Sequence, residues 1–169
     1  MNAPSAADLI RHFDLQPHPE GGYFRQTYKA SGVIRQSALP PAFGGDRAYA
    51  TMIYYLLPKG AKSHLHRLQS DEMWHFYLGG PMHVAQLHAG GREETVTLGS
   101  DVTRGEQLQY VVPAGTWFGA YPAEGTEYSL VGCTVAPGFE FSDFELAKRE
   151  VMLREFPDAK RIIEMLTRD

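Results

Sequence analysis

The chain has 169 residues, 43% hydrophobic and 21% charged, which is enough for one domain with a substantial core. Its formal net charge of -4, with no run of Lys or Arg, gives it little attraction for a phosphate backbone or an anionic membrane surface, so nucleic acid and membrane are excluded as partners. Cys133, the single cysteine, lies in the apolar segment LVGCTV, which rules out an internal disulfide and predicts a buried thiol in a reducing cytoplasm. The N-terminus MNAPSAADLIRHFDL lacks a basic region followed by an apolar one, and no apolar run reaches the length of a membrane span. These features predict a soluble, unexported protein.

In chain order, Ser5 with Asp8 resembles a capping box and predicts a short helix over SAADLIRHF, stopped by Pro17 and Pro19. Tyr23 to Tyr28 suits a strand, and SALPPAFGGD reads as a loop. Further strands are predicted at Ala50 to Leu57, Met73 to Leu78, His83 to His88, Glu94 to Leu98, Leu108 to Val112, Thr116 to Tyr121 and Tyr128 to Val135, divided by Gly and Pro signals. Many short strands at close spacing indicate an antiparallel sandwich or barrel. Ser142 with Glu145 forms a second capping box and predicts a helix with Phe144, Ala147 and Val151 on one face; Pro157 breaks it, and DAKRIIEML makes another. The whole of 1-169 reads as a single domain with a helical C-terminal extension from about residue 143.

The stretch SHLHRLQSDEMWHFYLGG carries the densest chemistry. Strand alternation points His64 and His66 the same way and puts Glu72, Trp74 and Phe76 on one face of the next strand. Two imidazoles and a carboxylate are suitable ligands for one divalent metal (zinc, manganese, iron or nickel) and leave positions open for substrate. The alternative is that the histidines pack and hydrogen-bond without an ion.

Gly60, His64, His66, Glu72 and Gly79 resemble the first motif of the cupin superfamily, although five residues separate His66 from Glu72 and three separate Gly60 from His64. Gly105, Pro113 and Gly115 resemble the second motif, but Phe118 stands where that motif ends in histidine. More closely, PHPEGGYFRQTY, SHLHR, SDEMWHFYLGGP, VVPAGTW and LVGCTVAPGFEFSDFE resemble an uncharacterised cupin family of domain-of-unknown-function type, over nearly the whole chain to about Glu145. In that family His66 is the regular member, His64 occurs in some members, and the position of Phe118 is usually glutamine. The resemblance implies a cupin double-stranded β-helix, a jelly-roll barrel with short flanking helices, commonly a homodimer, with a small-molecule pocket.

On this reading the inward residues are Tyr54, His64, His66, Glu72, Trp74, Phe76, Gln109 and Phe118. His66, Glu72 and Tyr54 are the candidate catalytic groups; Arg25, Trp74, Phe76, Gln109 and Phe118 the candidate substrate contacts; His64, His66 and Glu72 the candidate metal ligands. Arg25 is a candidate for a ligand carboxylate or phosphate, or equally for a dimer interface. His12, His18, His83 and His88 have no partner at ligand spacing and read as surface or structural residues. Two functions of different class stay open: proton transfer on a sugar or keto compound, as in epimerases and isomerases of this fold, or capture of a metabolite by a binding or sensor module. A metal-dependent oxygenase is a third reading.

Overall fold

The computed structural model describes residues 4–168. Met1–Ala3, part of the N-terminal stretch read for a leader, and Asp169 lie outside the described residues. After the capped helix α1 (Ala6–His12) come β1 (Gln16–Pro17), β2 (Tyr23–Lys29), β3 (Val33–Ile34), β4 (Arg47–Ala48), β5 (Thr51–Pro58) and β6 (Ser63–Arg67). They are followed by β7 (Asp71–Gly79), β8 (Met82–Leu87), β9 (Glu93–Leu98), β10 (Gln109–Val112), β11 (Trp117–Pro122) and β12 (Tyr128–Ala136). The chain closes with β13 (Glu145–Leu146), α2 (Arg149–Glu155) and α3 (Lys160–Leu166).

The principal strands pair antiparallel into a six-stranded sheet, β1-β2-β5-β12-β7-β10, and a five-stranded sheet, β13-β6-β11-β8-β9. Sequence neighbours thus repeatedly alternate between sheets, giving a jelly-roll sandwich rather than a fully closed barrel. Between the sheets lie Leu57, Trp74, Met82, Val84, Leu98, Phe118 and Val131, all at most 1% exposed. Burying each such side chain contributes ~1.5–3 kcal/mol.

Each sheet has a helix on its outer face. Leu9 of α1 packs with Leu15, Leu56 and Leu130 behind the six-stranded sheet. On the other side Met152, Ile162, Ile163 and Leu166 pack with Leu65, Leu87 and Trp117 behind the five-stranded sheet. Trp117 therefore faces away from the sandwich interior, as its parity opposite Phe118 requires.

Two local features depart from the sequence reading. The helix expected from Ser142 starts at Arg149, because Glu145–Leu146 instead pair with Arg67 and His66 as an edge strand. The second capping box does not form; Lys148 is the N-cap residue and makes no side-chain cap bond. By contrast, the first box does form, with Ser5 N–H donating to Asp8 Oδ2 at 3.0 Å and Asp8 N–H to Ser5 Oγ at 3.2 Å.

Candidate functional site

One end of the sandwich interior is a cavity of ≈ 70 Å³, space for roughly five waters or a compact organic ligand. Phe24 and Gln26 of β2, Thr51, Ile53 and Tyr55 of β5, and Cys133 and Val135 of β12 supply one wall. His66, Leu68 and Glu72 close the far side, while His18 and Glu20 enter from the loop before β2. Phe139, Phe141 and Phe144 form an aromatic rim.

The loop entry depends on two glycines. Gly21 has φ +111°, and a Cβ there would stand 2.0 Å from the Lys62 carbonyl oxygen; Gly22 has φ +71°, and its Cβ would meet Leu57 at 2.6 Å. Only glycine tolerates both the positive φ and the close approach, so the pair lets the chain press against β6 and drive Glu20 inward. The rim is held by a buried ion pair: Arg47 Nε and Nη2 donate to the two Asp143 carboxylate oxygens at 2.6 and 2.5 Å.

Hydrogen-bond chemistry determines where several protons reside. His66 Nδ1 lies 2.7 Å from the His64 carbonyl oxygen; a carbonyl only accepts, so Nδ1 carries hydrogen. His66 Nε2 then faces Glu20 Oε2 at 3.1 Å. This is an electrostatic contact, without the alignment of a hydrogen bond. Ser63 Oγ donates to the other Glu20 oxygen at 2.9 Å. His18 Nδ1 accepts from the Glu20 backbone N–H at 3.1 Å, which leaves its hydrogen on Nε2. Burial lowers the His18 pKa, so its ring stays neutral near pH 7.

Glu72 is 7% exposed, and its Oε2 has no hydrogen-bond partner among the described residues. Burial and then the neighbouring Glu20 charge push its pKa up to about 8, so at neutral pH it is mostly a carboxylic acid with a proton to donate. Burial likewise holds the Tyr55 phenol and the Cys133 thiol well above their ordinary pKa values. Both remain protonated, and Tyr55 donates to the Gly21 carbonyl oxygen at 2.7 Å.

Among the residues predicted from sequence, His66 and Glu72 reach the cavity together. His64 does not join them. The β6–β11 register shifts between Phe118 opposite His66 and Ala120 opposite Ser63, and this bulge breaks the alternation that would have set His64 beside His66. Ser63 takes the inward place, and His64 Nδ1 donates to the Glu20 carbonyl oxygen at 2.5 Å. Gly119 accommodates the bulge, since a Cβ there would meet the Ser63 carbonyl at 2.7 Å.

Three other positions face the wrong way for the expected contacts. Tyr54 packs outward against Phe13, with ring centroids 4.8 Å apart, and its neighbour Tyr55 faces the cavity. Arg25 is exposed and donates to the Phe13 carbonyl oxygen at 3.1 Å, while Phe24 and Gln26 point inward. Gln109 is exposed beside His75, and Tyr110 takes the interior position. In each case alternation was right and the choice of face was wrong. Trp74 and Phe118 lie deeper in the core, with ring centroids 6.2 Å apart, and the Phe118 ring lies tilted against His66 with centroids 4.2 Å apart. Phe76 packs on the same core away from the cavity.

His18, read as surface or structural, is a cavity residue whose Nδ1 is 3.6 Å from Glu20 Oε2. Glu20, Tyr55 and Cys133 complete the polar lining that sequence reasoning missed. The signal for Glu20 was present in PHPEGGYF, where an acid precedes a glycine pair. His83 and His88 are indeed held in surface contacts, with Thr97 at 2.9 Å and Glu94 at 2.8 Å.

The expected metal set does not fit this arrangement. His64 and His66 each use Nδ1 on a backbone carbonyl, and His66 Nε2 lies 3.1 Å from Glu20 Oε2. Among the described residues, no three His, Cys, Asp or Glu side chains come together as an ion-binding group. No helix among them is long and apolar enough to cross a membrane.

Comparison with known proteins places this geometry in context. An uncharacterised protein of Saccharomyces cerevisiae, YML079W, is 26% identical over 171 residues, spanning 95% of this chain and 84% of that protein. Among solved structures, a hypothetical protein from Leishmania major superposes with a TM-score of 0.88 at 32% identity, covering 98% of this chain and 100% of that one. Protein SO0799 from Shewanella oneidensis gives 0.87 at 37% identity, with 98% and 99% coverage. Oxalate decarboxylase from Bacillus subtilis is a distant likeness of fold alone, with a TM-score of 0.55 and 19% identity over 91% of this chain and 37% of that one. The model of the cupin superfamily family DUF985 matches residues 7–147, and the chain belongs to that family.

Proposed function

We propose that the cavity binds a small metabolite and moves a proton on it, an isomerase- or epimerase-like reaction of a hydroxycarbonyl compound such as a sugar or keto compound. The observation that carries this reading is the buried Glu72 carboxyl, whose Oε2 has no hydrogen-bond partner among the described residues, beside Glu20 and His66. Glu72 donates its proton toward the substrate carbonyl oxygen while Glu20 accepts the proton from the neighbouring carbon. The product of that step is an enediol, and reversal of the two transfers on the other carbon, or on the other face, completes isomerisation or epimerisation. Tyr55 holds the Glu20 loop through the Gly21 carbonyl and acts as a positioning residue.

A donor with a pKa near the working pH supplies about 10²–10⁴ of rate enhancement. Incubation in D₂O with dihydroxyacetone, glyceraldehyde and small aldoses, followed by proton NMR, tests the reading. The expected result is enzyme-dependent loss of the carbon-bound proton signal, reduced ~100-fold in Glu72→Gln. Saturable binding without exchange would favour the second reading, a binding or sensor module. That reading draws support from His66, whose Nδ1 is spent on the His64 carbonyl and whose Nε2 faces Glu20. Association as a homodimer is also part of the proposal, and light scattering tests it.

A further inference from the structure

We infer that this cavity selects uncharged ligands over carboxylates and phosphates, a choice made by a lining that holds two buried carboxyl groups and, among the described residues, no Lys or Arg. The inference rests on the small-molecule reading above and names its ligand class. No Lys or Arg lines the cavity among the described residues. The nearest buried guanidinium, Arg47, spends its donors on Asp143, Ser142 and the carbonyls of Gly45 and Asp46. Among the described residues the lining imidazoles are His18, neutral near pH 7, and His66, whose Nε2 lies 3.1 Å from Glu20 Oε2.

An entering anion would meet the Glu20 carboxyl, with His66 Nε2 already 3.1 Å from it, and the Glu72 carboxyl. The other titratable groups of the lining are Tyr55 and Cys133, both protonated, and neutral His18. It would lose its water and gain no counter-charge, the most costly form of burial. A hydroxyl or ketone oxygen, in contrast, needs one or two neutral donors, and Glu72 and His18 Nε2–H supply them. The rim of Phe139, Phe141 and Phe144 presents apolar faces suited to carbon-bound hydrogens.

Two probe pairs differ only by exchanging CH₂OH for a carboxylate: hydroxyacetone against pyruvate, and dihydroxyacetone against hydroxypyruvate. Ligand-observed NMR at pH 6.5 reads their affinity, with Glu72 and Tyr55 resonances reporting occupation of the cavity. The uncharged member should bind about tenfold or more tightly than its anionic partner. Gln26, a solvent-exposed residue that also lines the cavity, provides a second arm. Gln26→Arg should admit pyruvate and narrow the gap.

Equal or tighter binding of the anions to the unaltered protein overturns the charge selection while leaving a ligand cavity in place. Binding of neither pair overturns the inference together with the reading beneath it. A folded Gln26→Arg that gains no affinity for pyruvate also counts against the inference, because a supplied counter-charge would then have made no difference.

Discussion

The two ends of the sandwich interior are built from the same strands but filled differently. Toward one end Trp74, Met82, Val84, Leu98 and Phe118 pack as an apolar core, none more than 1% exposed. At the other, Glu20 and Glu72 are each 7% exposed and His66 2%, ionisable groups held almost as dry as the leucines. β7 crosses both, with Glu72 at the cavity and Trp74 two residues on in the core. A fold that fills one end so completely could have filled the other with hydrocarbon. Keeping buried carboxyls there costs stability, and such costs are concentrated at functional sites.

The contrast can be broken first at the apolar end. Phe118→Ala removes a fully buried ring and leaves a cavity, so urea denaturation should show a loss of about 3–5 kcal/mol. A loss below about 1 kcal/mol would mean that the two ends are not packed differently. At the rim, Asp143→Asn strands a buried Arg47 guanidinium and should cost a comparable 3–5 kcal/mol. Replacing both partners with apolar residues should recover most of that stability.

At the polar end the expected sign is reversed. An unfolded Glu72 titrates at the ordinary 4.5, and folding raises this to about 8. Between those values the folded state holds a proton that the unfolded chain has released, so stability falls as pH rises and levels off above about pH 8. Glu72→Gln has no such slope. Relative to the unaltered protein, the variant should gain on the order of 2–4 kcal/mol in denaturation measurements between pH 5 and pH 8. A pH-independent difference would show that Glu72 ionises normally. The smallest effect is expected at Tyr54→Phe, outside the cavity, with stability within ~0.5 kcal/mol and no change in proton exchange.

How far this arrangement was legible in the sequence follows the same division. Strands and turns were readable because glycine and proline punctuate residue runs of strong strand preference, as in VVPAGTW before β11. His66 and Glu72 were readable because they lie in or beside regular strand. Alternation could not decide which face is inward where both faces carry apolar residues. β5 has Tyr54 against α1 and Tyr55 against the cavity, and nothing in TMIYYLLP distinguishes them. His64 was misplaced by a bulge whose only trace is Gly119 on a partner strand more than fifty residues away. Glu20 and His18 enter from a loop, where no periodicity exists to read. The expected helix at Ser142 failed because edge pairing with β6 captured Glu145 and Leu146 first.

The most direct test is a pH titration of the Glu72 carboxyl carbon by ¹³C NMR, assigned by its absence in Glu72→Gln. The account expects a midpoint near 8. A midpoint near the ordinary 4.5 would leave the cavity with a plain carboxylate at neutral pH, contradicting the proposed proton donor.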